Sequence, residues 1–166
     1  MKKRLLGWSK DLAIYGALAV VIAVSVDWYR TKDLPRDNAP NITGELISGE
    51  YFDVVAQSHQ QPVVVYFWAT WCGACRFVTP TIDWLSEYYP VVAVSGASGA
   101  DGRVQRYMAH REYQFDNLND PKSDIFRSWG ISVTPTIAIV KNGQVVSMTT
   151  GITTPPGLLA RVMFHQ

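Results

Sequence analysis

WATWCGACRFVTP, residues 68–80, is the stretch on which the reading of this chain turns. It holds Cys72 and Cys75, the two cysteines of a 166-residue sequence, separated by Gly73 and Ala74. Leading into it, PVVVYFWA (62–69) is an unbroken apolar run of β-branched and aromatic residues, the pattern of a strand buried on both faces. Beyond it, Phe77, Ile82, Leu85 and Tyr88 or Tyr89 recur at spacings near three and four, with Asp83, Ser86 and Glu87 between them. That periodicity predicts a helix from Cys72 to about Tyr89. Pro80 falls inside it, where it removes a backbone donor and bends the helix. The cysteine pair therefore stands where a buried strand gives way to a helix.

Four uses of such a pair compete. A zinc site needs four ligands, and His59, His110 and His165 lie on unrelated segments, so no metal site is expected. Copper(I) suits two soft thiolates and leaves a copper- or client-binding module as the alternative, although such a pair is expected on an exposed loop. A structural disulfide that closes so short a loop removes little unfolded-state entropy. Thiol–disulfide exchange fits the placement best. A thiol at a helix N-terminus meets unpaired N–H groups and the positive end of the helix dipole, which favour the thiolate. Cys72 is then the nucleophile and Cys75, one turn on, the resolving thiol. Gly73 and Ala74 are small and neutral and add no charge to either sulfur. Arg76 reads as an exposed surface residue.

Farther out, strand-like and helix-like blocks alternate. Residues 91–95 (VVAVS) read as a second buried strand, and 96–102 as a flexible glycine-rich loop leading to a helix over 103–110. Ser123 is placed to cap a short helix ending at Gly130. Residues 134–140 (TPTIAIV) read as a strand, and Asn142-Gly143 as a two-residue hairpin turn into 145–150. Thr154 and the following prolines open a closing helix. The order β-α-β-α-α-β-β-α predicts an α/β fold, a mixed sheet flanked by helices.

The N-terminus reads as an address. Lys2, Lys3, Arg4 and Lys10 lie in the first ten residues without an acid, so the rest of the chain carries eleven basic against fourteen acidic residues. No basic stripe follows, which argues against nucleic acid as a partner. Leu12 to Val26 is free of charge, about 22 Å long as a helix against a hydrocarbon core of about 30 Å. Trp8, Trp28 and Tyr29 flank it with rings suited to headgroup level, so counted from Trp8 to Tyr29 it is long enough to span. We read 1–29 as a cytoplasmic stub and transmembrane anchor, 30–41 as a linker with Pro35 and Pro40, and 42–166 as the folded domain. A cleaved signal, with Ala23-Val24-Ser25 as its site, is the alternative, and a buried helix of the domain a third. The positive-inside rule sends everything after Asp27 across a bacterial inner membrane to the periplasm, where thiols oxidise.

The run from Phe67 through Trp71-Cys72-Gly73-Ala74-Cys75-Arg76, with Pro80 in the helix and Thr134-Pro135 before a later strand, resembles the thioredoxin superfamily over about residues 42–166. The resemblance implies a thioredoxin fold, protein thiol–disulfide oxidoreductase activity and no cofactor. It also implies a cis bond before Pro135, facing the cysteines. Trp71, Gly73, Ala74, Thr134 and Pro135 would then form the substrate-binding surface, with an incoming peptide added as a short strand at Thr134. Tether and wording together resemble the TlpA-like periplasmic branch, most of all its suppressor-of-copper-sensitivity type, which implies a role in copper tolerance and a membrane-embedded electron-transfer partner. Two positions depart from the pattern. Tyr66 stands where thioredoxin has a buried aspartate, and Val78 where cytochrome-maturation members often carry a glutamate. That leaves water, the backbone or the Tyr66 hydroxyl to take the Cys75 proton. The neutral Gly-Ala pair favours reductase or isomerase use over strong oxidation.

Overall fold

The computed structural model describes residues 14–18, 21, 22, 25, 29 and 38–165. From residue 38 the chain runs β1 (Thr43–Glu45), β2 (Tyr51–Asp53), α1 (Val54–Ser58), β3 (Val63–Trp68), α2 (Cys75–Ser86), β4 (Val91–Gly96), α3 (Asp101–His110), β5 (Asp116–Asp120), α4 (Asp124–Ser128), β6 (Thr136–Lys141), β7 (Gln144–Thr150) and α5 (Pro155–Phe164). Five strands form one mixed sheet in the order β5-β4-β3-β6-β7. The central β3 is parallel to β4 and antiparallel to β6.

All six residues of β3 are buried because helices cover both faces of the sheet. Alternate side chains supply two separate cores, as the period of two requires. Val64, Tyr66 and Trp68 join Cys72, Cys75, Val78, Ile82 and Leu85 of the cysteine turn and α2, with Val104 of α3 and Leu158 and Val162 of α5. Val63, Val65 and Phe67 face the other way, onto Val54 of α1, Phe126 of α4 and Trp129. Phe67 meets Phe126 edge-on at 5.4 Å and Trp129 at 5.2 Å. Truncating such a ring to alanine costs about 3–5 kcal/mol. Gly96 ends β4 against the same cluster, where an added Cβ would lie 2.6 Å from the Phe126 ring.

The strands and helices expected around the cysteines are present, and Asn142 and Gly143 form the predicted hairpin with φ of 52° and 73°. Four elements were not foreseen: the β1–β2 hairpin, α1 and β5. The last is Asp-Asn-Leu-Asn-Asp, polar by composition, yet it pairs with β4 and buries Asn117. Ser123 also departs from expectation. It holds the N-cap position of α4 at a left-handed φ of 58° and makes no side-chain cap bond. Asp120 does the capping, accepting from Asp124 N at 2.8 Å and Phe126 N at 3.0 Å.

The chain divides into two units, Met1–Lys32 and Asp33–Gln166. Most of the expected anchor (1–29) and of the linker (30–41) lies outside the described residues. Those described within the anchor are helical, and Ile14, Tyr15, Leu18, Val21, Ile22 and Tyr29 are exposed. Among the described residues no helix is long and apolar enough to cross a membrane. Within the second unit, packing begins by Ala39, which is buried and donates its N–H to the Gly143 carbonyl at 2.9 Å.

Candidate active site

β3 ends at Trp68, and residues 69–74 turn before α2 opens at Cys75. Cys72 therefore precedes the helix instead of starting it, three residues later than the periodicity predicts for the helix start. The local cause is a turn in which Cys72 N–H closes on the Ala69 carbonyl at 3.1 Å. The expected electrostatic help reaches the sulfur all the same. The backbone N–H of Cys75, one of the free donors at the helix start, points at Cys72 Sγ at 3.1 Å. The two sulfurs are joined in a disulfide, with Cα atoms 5.3 Å apart. Both cysteines are buried, Cys72 keeping 5% of its surface and Cys75 2%. Gly73 is exposed and Ala74 half-buried at the N-cap position.

Behind Cys75 lies the position where thioredoxin has an acid. Tyr66 is fully buried, with its hydroxyl 2.8 Å from Thr79 Oγ1. Thr79 Oγ1 donates to the Cys75 carbonyl at 2.7 Å. A threonine has one hydroxyl proton, so Tyr66 must be the donor in the first bond. Burial holds the Tyr66 proton on far above the ordinary tyrosine range, reinforced by Tyr113 and Tyr107. A phenol so placed is a donor, not an acceptor for the Cys75 proton. Thr79 carries no motif in the sequence beyond its spacing of four from Cys75.

Trp71 is 64% exposed, yet its indole N–H donates to the Ala97 carbonyl at 3.1 Å. One residue earlier, Thr70 N–H donates to Ser98 Oγ at 3.0 Å. The loop after β4, read from the sequence as flexible, is thus tied to the reactive turn. Deeper in, Trp68 Nε1 donates to Asn117 Oδ1 at 2.8 Å, and Asn117 Nδ2 to Ser95 Oγ at 3.0 Å. This explains why a polar β5 is buried.

Thr134-Pro135 is a cis peptide. Phe67 pairs with Thr136 in the β3–β6 register, so Pro135 enters the sheet at the end where β3 hands over to the cysteines. Pro135 is buried and Thr134 half-buried, with Val133 exposed beside them. Arg76 is exposed, as read. Trp129 is fully buried in the core, and half-buried Tyr107 packs against Trp68. Among the described residues no group of three or more His, Cys, Asp or Glu side chains is placed to hold a metal ion.

Comparison with known proteins agrees with this geometry. The thioredoxin family model matches residues 44–98. A thioredoxin-like protein of Haemophilus influenzae is 36% identical over 148 residues, covering 89% of this chain and 88% of that protein. The chain belongs to the thioredoxin family. Among solved structures, this thioredoxin-family chain resembles a Chlorobium tepidum protein assigned as thiol:disulfide interchange protein DsbE. That match has 25% identity and a TM-score of 0.66, and covers 78% of this chain and 95% of the other. A secreted Mycobacterium tuberculosis disulfide oxidoreductase homologous to DsbE shares the fold, with 22% identity, a TM-score of 0.63, and coverage of 74% and 95%. Family and cysteine bridge together make this thioredoxin-family chain a thiol–disulfide oxidoreductase.

Proposed function

We propose that this protein reduces or isomerises disulfides of other proteins, with Cys72 as nucleophile and Cys75 as resolving thiol. The observation that carries the reading is the Cys75 N–H on Cys72 Sγ: a helix-start donor stabilises negative charge on that sulfur. The Cys72 thiolate attacks one sulfur of a partner disulfide, forming a mixed disulfide and releasing one partner thiolate. The Cys75 thiolate then attacks Cys72 Sγ, closes the bridge and releases the second partner thiol. The partner gains two electrons, and a dithiol donor must return two to the Cys72–Cys75 bridge. Trp71, Gly73, Ala74, Thr134 and Pro135 form the surface on which the partner segment lies.

The reductase direction is supported by what stabilises the thiolate. One backbone N–H reaches Cys72, and Gly73 and Ala74 add no charge, so the reduced form lacks the extra stabilisation of a strong oxidant. Residues 1–29 anchor the protein in a bacterial inner membrane, 30–41 tether it and 42–166 face the periplasm, with a membrane-embedded dithiol protein as donor. The basic N-terminus followed by an uncharged apolar run supports this topology. Within the family the chain fits the TlpA-like branch and its copper-sensitivity type, on the FWATWC wording and the size of the chain.

Replacing Cys75 with Ala tests the roles. Mixed disulfides should accumulate through Cys72 and vanish when Cys72 is replaced as well; no trapped partner from any compartment would overturn the exchange reading. Equilibration with a glutathione redox buffer tests direction. A pair as oxidising as the strong periplasmic oxidants, near −120 mV, would reverse it.

A further inference from the structure

The segment between β4 and α3 is built more firmly than a connection requires. Ser98 is 2% exposed, and its hydroxyl is used twice, accepting from Thr70 N–H at 3.0 Å and donating to the Gly96 carbonyl at 3.1 Å. Beside it, Ala97 adopts a left-handed φ of 46°, which a residue with a Cβ disfavours by about 1–2 kcal/mol. Its N–H is held by the Asp120 carbonyl at 3.1 Å, and its own carbonyl receives the Trp71 indole. The far end of the loop is pinned too, by Asn119 Nδ2 on the Gly99 carbonyl at 2.8 Å and Asp101 Oδ1 at 2.7 Å. A disfavoured backbone conformation that persists because its surroundings over-determine it points to function. Here its two outputs both land on the residues just before Cys72.

We propose that the β4–α3 loop is a clamp on the reactive turn, in which Ser98 and the Ala97 carbonyl are positioning groups that hold Thr70 and Trp71 for attack by Cys72. This rests on the reading of Cys72 as nucleophile. The two contacts do different work. Ser98 fixes the Thr70 peptide, and so the path of the backbone into Cys72; it serves attack on any disulfide, large or small. The Ala97 carbonyl fixes an exposed indole that would otherwise turn freely, so that Trp71 presents one set surface beside the sulfur. It serves only partners large enough to reach Trp71. Holding a nucleophile and a contact surface in advance spares the ordering that binding would otherwise require.

The test compares rates of attack by the reduced full-length protein on a folded protein disulfide, insulin, and on a small one, oxidised glutathione. Ser98→Ala should slow both by the same factor, about three- to ten-fold for one lost hydrogen bond, and Ser98→Thr should recover most of the loss. Trp71→Phe should lower the protein-to-small rate ratio about three-fold or more, through KM for insulin, because the ring loses the N–H that orients it. Wild-type rates for Ser98→Ala on both disulfides would overturn the clamp, as would an unchanged ratio for Trp71→Phe. Thermal melts accompany each variant. If Ser98→Ala does not fold, Trp71→Phe decides alone, since Trp71 is exposed and its replacement does not open the core. Cys72→Ser is run in parallel: exchange that survives it means the underlying nucleophile reading has failed, whereas its loss together with wild-type rates for Ser98→Ala means that only the clamp has.

Discussion

Tyr66 shows how one residue changes a familiar site. A carboxylate behind Cys75 would accept its proton; the phenol here donates a hydrogen bond to Thr79, which in turn donates to the Cys75 carbonyl. Tyr66→Phe should therefore leave the pH–rate profile of exchange between pH 6 and 9 unchanged, while lowering stability by about 1 kcal/mol. The same variant has an alkaline signature. Below the unfolded tyrosine value, near 10, both states keep the proton and the stability is whole. Above it the unfolded chain loses the proton first while burial keeps it on Tyr66, so stability falls as pH rises toward the folded value. Urea midpoints from pH 9 to 11 should fall less steeply for Tyr66→Phe than for wild type; equal slopes would mean that Tyr66 is not the group responsible. Thr70 carries the opposite lesson. Its backbone N–H is used by Ser98, but its buried hydroxyl has no hydrogen-bond partner. Thr70→Val should be neutral or stabilising in a thermal melt, and a loss above about 1 kcal/mol would show that the hydroxyl has a use. The sequence states that Tyr66 stands at the acid's position. It does not state where the hydroxyl points, because that depends on Thr79, thirteen residues away on another element.

Among the elements, those that announce themselves locally were readable and those that depend on distant partners were not. β3 is an apolar run, Pro80 marks its helix, and Asn142-Gly143 marks its hairpin. β5 carries no such pattern, because its buried polar residues are satisfied from elsewhere: Asn117 by Trp68 and Ser95, and Asp120 by the start of α4. The cap of α4 was assigned to Ser123, the residue next to the helix, whereas Asp120 reaches it from the end of a strand. Two substitutions separate these assignments. Asp120→Ala removes acceptors from two N–H groups and should cost about 1–2 kcal/mol in urea unfolding. Ser123→Gly gives up no side-chain cap bond and relaxes a left-handed φ, so it should be neutral or stabilise by up to about 1 kcal/mol. Reversed signs would return the cap to Ser123.

At the scale of the molecule, the reactive turn depends on the second unit. Its sulfurs belong to the core built on Val64, Tyr66 and Trp68, its clamp comes from the β4–α3 loop, and its cis-proline enters beside β3. Among the described residues, both cores are made by residues from Ala39 onward. A chain beginning at residue 38 should therefore fold, form the Cys72–Cys75 bridge and reduce insulin at the rate of the full protein. The full chain should sediment with membranes and require detergent for release, while the shortened one stays in the soluble fraction. A full chain that remains soluble after ultracentrifugation would remove the anchor without touching the redox chemistry. A shortened chain that fails to fold would show that the first unit supplies packing as well as an address.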